Sequence, residues 1–106
     1  MTYTKVNYRD ADPVSDGLYF LRDPLDTDQL GVSVLDCDPD WSGMEHDHAE
    51  EGHEEVYLLL DGEATVTIEG EAVELSAGDA VRIPPEATRQ IENGPVESRF
   101  VLVGAP

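Results

Sequence analysis

Between Glu54 and Gly70 the chain reads EEVYLLLDGEATVTIEG: an apolar run, the pair Asp61-Gly62, then a clean alternation. In that alternation Val66 and Ile68 share one face while Thr65, Thr67 and Glu69 take the other. Asp-Gly between two such runs marks a tight hairpin, and a period of two belongs to strands with one buried face. The same grammar runs through the chain. Strands are predicted at residues 2–8, in LYFLR, over 29–37 and at 44–48, then in EAVEL, DAVRI, TRQIEN and VESRFVLVG. The breaks between them are ADPVSDG, PLDTD, DPDWSG, SAG, PPE and NGP, and almost no helical periodicity is present. Short strands with regular turn signals specify an all-β protein, an antiparallel sandwich or barrel. At 106 residues the chain is one domain, with N-terminal strands over 1–39 and the barrel region over 40–103.

Charge narrows the function. Twenty-four Asp and Glu stand against six Lys and Arg, for a net charge of −18. Self-repulsion on that scale destabilises a compact domain unless salt screens it, so the composition predicts a halophile's protein. It excludes nucleic acid, whose phosphates need a basic surface, and anionic membranes. No apolar run has the length of a membrane helix, the polar start MTYTKVNYRD is not a signal peptide, and one cysteine, Cys37, permits no internal disulfide. Together these predict a cytoplasmic protein. Cys37, at the end of GVSVLDC, reads as a small buried hydrophobe.

All three histidines lie in HDHAEEGHEE, residues 46–55. Where nearly one residue in four is acidic, carboxylates near a histidine carry little information, and a His-x-His in such a loop is often simply solvated. Spacing carries more. His46 and His48 are two apart and project from one face if the segment is extended. Glu55 opens the next strand on a face with Tyr57 and Leu59. If the two segments are neighbours, His46, His48 and Glu55 converge as a two-His-one-carboxylate set with open coordination positions, suited to Fe, Mn, Co, Ni or Zn. His53, two residues before Glu55, is either a further nitrogen donor or a rim residue.

Six residues separate Glu55 from Gly62, and five separate Gly78 from Pro84. With His46 and His48, these spacings resemble the two motifs of the cupin family, over about residues 40–103. The resemblance implies a small jelly-roll β-barrel, a divalent metal in it, a small-molecule ligand or substrate and, as in many single-domain cupins, a homodimer. The doubly apolar runs VYLLL and FVLVG agree, since a barrel interior covers only one face of each sheet. The departures matter as much. Asp40 stands where the first motif has a glycine, and the loop AEEGHE lengthens the gap to Glu55. Glu86 replaces a glycine of the second motif, while Asn93 is in place. The family's fourth metal ligand, a histidine, falls at Arg89, which has no lone pair to offer a cation.

The alternation in TRQIE puts Arg89 on one face with Ile91, pointing inward unless it is an ordinary surface arginine on an edge strand. A buried guanidinium needs an anion. Either Glu55 is that anion, giving a non-catalytic binding or sensing barrel, or Arg89 holds an anionic ligand beside a metal on His46, His48 and Glu55, giving a candidate enzyme. Tyr57 is a candidate for the pocket wall or the core, and Trp41 for a lid or the barrel rim.

Overall fold

The computed structural model describes residues 2–106, which form two antiparallel sheets closed around one core. After a 3-10 turn at Tyr8–Asp10 come β1 (Leu18–Phe20), a short helix α1 (Arg22–Leu25) and β2 (Gly31–Cys37). Then follow β3 (Glu54–Asp61), β4 (Glu63–Ile68), β5 (Glu71–Ser76), β6 (Ala80–Ile83), β7 (Arg89–Asn93) and β8 (Ser98–Ala105). The larger sheet has the order β1-β2-β8-β3-β6 and the smaller one β5-β4-β7. This is an antiparallel jelly roll.

Alternation makes the core. Tyr57, Leu59, Ile83, Leu35 and Phe100 point in from the large sheet, and Val66, Leu75 and Ile91 from the small one. Leu59, Val66, Ile83 and Phe100 are wholly buried, each worth about 1.5–3 kcal/mol of apolar burial. Cys37 is buried among them.

The hairpin read at Asp61-Gly62 joins β3 to β4. Gly62 has φ +89°, and a Cβ there would lie 2.5 Å from the Glu97 carbonyl oxygen, so both conformation and space require glycine. Asn93 closes the same end of the barrel. Its amide donates to the carbonyls of Asp38 and Val96 at 2.7 and 2.8 Å, and its oxygen accepts from Ser98 Oγ at 2.6 Å.

Three expectations are corrected. Residues 2–8 do not form a strand; they run unpaired into the 3-10 turn, where the Asn7 side chain accepts from Arg9 N–H. Tyr8 then anchors the segment, its hydroxyl on Asp36 and its ring edge-on to Tyr19. LYFLR ends as a strand at Phe20, and α1 begins at Arg22. Residues 44–48 are not a regular strand either. That segment lies along β7 through two isolated bridges, Ser42 to Glu92 and His46 to Arg89. Four steps on one side match three on the other, so an extra residue bulges out and breaks the ladder. Among the described residues no helix is long and apolar enough to cross a membrane.

Candidate metal centre

His46 is placed by its bridge to β7. Its N–H donates to the Arg89 carbonyl at 3.0 Å and its carbonyl accepts from Arg89 N–H at 2.8 Å. Two residues so paired carry their side chains on one face of the sheet. His48 is held a step further on, its N–H on the Pro85 carbonyl at 2.9 Å. The two imidazoles meet edge to face with centroids 5.1 Å apart. Glu55, on β3, reaches them from the large sheet. His46, His48 and Glu55 each present one ligand atom, and these atoms lie within 4.8 Å of one another.

Glu55 is the hub. Its Oε1 lies 3.1 Å from His48 Nε2 and accepts from Arg89 Nη1 at 2.9 Å and from the Tyr57 hydroxyl at 3.3 Å. Arg89 is fully buried; its second arm donates to the Pro84 carbonyl at 2.6 Å, and its Nε has no partner. Of the two anions considered for Arg89, the structure supplies Glu55, but through Oε1 alone, so the pairing does not by itself take the second carboxylate oxygen from a metal. Burial, reinforced by the Glu55 charge and opposed by Arg89, pushes the Tyr57 phenol far above its ordinary range, which keeps the hydroxyl a donor.

The three residues fit a metal. His46 Nδ1 lies 3.1 Å from the Met44 carbonyl, which can only accept, so a neutral ring donating there would offer Nε2 to a metal. Glu51 stands 3.7 Å behind His48 Nδ1, the outer carboxylate that commonly orients a ligating imidazole. Glu55 Oε2 makes no hydrogen bond among the described residues, leaving one carboxylate oxygen free. Neutral nitrogens with one carboxylate suit a borderline transition metal.

These groups open on a cavity of about 1140 Å³, whose wall includes His46, His48, Glu55, Tyr57 and Trp41. His53 lies on the same wall, outside the group of three. Arg89 does not reach the cavity surface; Glu55 stands in front of it. Trp41 both packs on the core and lines the cavity, with its ring 2.9 Å from where a Cβ of Gly43 would be. Sequence reasoning missed Arg22, which also lines the cavity. No local signal marked it, since the strand ends at Phe20 and Arg22 opens α1.

A double-sheet barrel with a His-x-His segment and a glutamate at its mouth defines the cupin class. The family model described as "Cupin domain" matches residues 34–104, and the chain belongs to that family. Its structure is similar to that of a cupin protein from Bacteroides fragilis, at 30% identity and TM-score 0.81, over 99% of this chain and 85% of that one. It is also similar to KdgF from a Halomonas species, at 22% identity and TM-score 0.79, over 100% and 94% of the two chains. A stretch of 40 residues is 40% identical to an uncharacterized protein of Methanocaldococcus jannaschii, covering 38% of this chain and 32% of that relative's length.

Proposed function

We propose that this cupin binds a divalent transition metal (iron, manganese, nickel, cobalt or zinc) through His46, His48 and Glu55, and with it a small anionic or carbohydrate-like molecule in the adjoining cavity. The observation that carries this reading is the convergence of three suitable donor atoms within 4.8 Å on the cavity wall. Bound there, the metal supplies Lewis acidity or an oxygen-activating centre for an enzyme reaction.

The protein's own groups set the terms of binding. Arg89 neutralises Glu55, so with neutral imidazoles the set carries no net charge before a dication enters. A dication then leaves the centre positive, which favours an anionic ligand. Tyr57 meets the ligand from the wall. Arg89 acts from behind, holding Glu55 Oε1 and leaving Oε2 free. His53 and Trp41 shape the rim and side of the cavity. The same reading takes the protein as a cytoplasmic homodimer of a salt-adapted cell.

One observation favours a second reading, a non-catalytic binding or sensing barrel without metal. Glu55 Oε1 already accepts from Arg89 and Tyr57 and lies 3.1 Å from His48 Nε2, which satisfies much of that carboxylate without a cation. Elemental analysis separates the two, on protein purified in high salt without chelators or a histidine tag. Stoichiometric metal that disappears in the His46→Ala, His48→Ala double variant is the expected result. Low metal content unchanged by His48→Ala favours the second reading, and tight metal retained in the double variant overturns the site.

A further inference from the structure

Arg22 lies outside the family-matched segment, yet it is the one lysine or arginine among the residues lining the cavity. Leu18 and Phe20 of β1 pair with Leu35 and Ser33, the strand then ends, and Arg22 opens α1 with its guanidinium beside Gly31. Beside it the inward row of the large sheet runs Gly31, Gly104, Glu55 and Ile83, each directly paired with the next. Two adjoining positions on the cavity wall therefore have no side chain.

The charged groups lean over these two positions. A Cβ on Gly31 would stand 2.7 Å from Arg22 Nη2, and one on Gly104 would stand 3.5 Å from Glu55 Oε2. The guanidinium covers the first glycine and the free carboxylate oxygen covers the second. The two α-carbons are about 5 Å apart, the spacing of directly opposed residues. The missing side chains thus leave room on one wall for a cation and, next to it, the metal-ligand group.

Arg22 is also underused. Its hydrogen bond, from Nη1 to the Asp28 carbonyl, is 3.4 Å long. Among the described residues it makes no ion pair, although the chain holds 24 Asp and Glu. A half-buried guanidinium facing a cavity with most of its donors free is built to receive an anion.

We infer that Arg22 anchors the carboxylate of a small organic acid, which lies in the shared cavity and turns a second oxygen toward His46, His48 and Glu55. This inference rests on the proposed ligand-binding role of that group. A singly charged carboxylate matches the single guanidinium. Phosphate is disfavoured, because Asp10, Asp12 and Asp23 share the cavity lining and repel a dianion.

The test uses wild type, Arg22→Gln and Arg22→Lys, purified in high salt and assayed for metal. Each is titrated calorimetrically at one fixed KCl concentration with glycolate and D-glucuronate, and with the uncharged counterparts ethylene glycol and D-glucose. The acids bind wild type and the neutral molecules do not. Arg22→Gln weakens acid binding about 10- to 100-fold, the loss of charge-assisted hydrogen bonds, with metal content unchanged. Arg22→Lys retains part of the affinity. Acid binding unaltered by Arg22→Gln, neutral molecules bound as well as acids, or no acid bound at all overturns the inference. If wild type lacks metal yet loses acid binding in Arg22→Gln, the metal reading fails and the anchor stands. Metal with acid binding indifferent to Arg22 is the reverse.

Discussion

Arg89 and Glu55, thirty-four residues apart, join the two sheets of the barrel through a 2.9 Å charge-assisted hydrogen bond. The two ends are not equivalent. Arg89 is fully buried, whereas the Glu55 side chain keeps 16% of its exposure and two other donors. Removing the carboxylate strands a buried cation, for which a loss of about 3–5 kcal/mol is typical. Removing the guanidinium leaves a carboxylate that can still be solvated, and it also removes the unpartnered Nε. Glu55→Leu therefore destabilises the protein more than Arg89→Met. Urea unfolding at fixed KCl checks the order; equal or reversed losses contradict it.

Position 89 should also set the affinity of the proposed metal site. His46 and Arg89 are paired through both backbone hydrogen bonds, so their side chains leave the sheet on one face. Arg89→His puts an imidazole beside the three donors and takes a positive charge away from Glu55. Both changes favour a dication. Competition against a chelator should show zinc or manganese bound at least about tenfold more tightly, a gain of about 1.4 kcal/mol. Unchanged or weaker binding means that the side chain at position 89 does not address the metal group.

What was legible in the sequence was whatever depends on local period and turn chemistry. The hairpin at Asp61-Gly62, the inward phase of Arg89 and Ile91, and the shared position of His46, His48 and Glu55 all follow from alternation and spacing. Residues 2–8 have an alternating look as well, but alternation needs a partner edge to become a strand. There Tyr8 is drawn instead to Asp36 and Tyr19. The bulge between Ser42 and His46 was hidden because an extra residue shows only against the neighbouring strand. Arg22 gained its meaning from Gly31 and Gly104, two glycines far apart in sequence that the sheet makes neighbours. Tertiary pairing of that kind leaves no local trace.

Salt should matter more than in an ordinary domain. A net charge of −18 repels itself over a screening length of about 10 Å at 0.1 M salt and about 3 Å at 1 M. Most of the carboxylates are on the surface, within reach of that screening. The urea midpoint should rise steadily as KCl is raised from dilute buffer into the molar range. Full folding in dilute buffer with a flat salt response contradicts the halophilic reading.

Cys37 gives a pH window. Burial raises its thiol to about 11 from the usual 9.0, with Ser98 pulling the other way. A folded-state value raised above the unfolded one means that the native protein holds the proton more tightly. The stability tied to that proton is whole below about pH 9 and is lost as pH climbs through about 11. At pH 8 the native thiol should resist alkylation by iodoacetamide and react once urea unfolds the chain. Rapid labelling of the folded protein at pH 8 contradicts a buried, protonated Cys37.

The outer face of the large sheet bears on assembly. Direct pairing aligns Tyr19, Val34, Val101, Leu58 and Ala80 in one outward row, of which Val34 is already buried, and Val32, Val103, Val56 and Arg82 in the next. Val56 is 39% exposed, between this apolar stretch and the Arg82–Glu54 ion pair at its edge. Contiguous apolar surface of this kind is characteristic of a subunit contact. A second copy related by a twofold axis would set one such face against the other, burying a carboxylate introduced at Val56 with only Arg82, already paired to Glu54, beside it. Light scattering in high salt should give twice the chain mass for wild type and the single chain mass for Val56→Glu, with the β-sheet circular dichroism of both alike. A dimer that survives Val56→Glu, or a monomeric wild type, removes this face from the assembly.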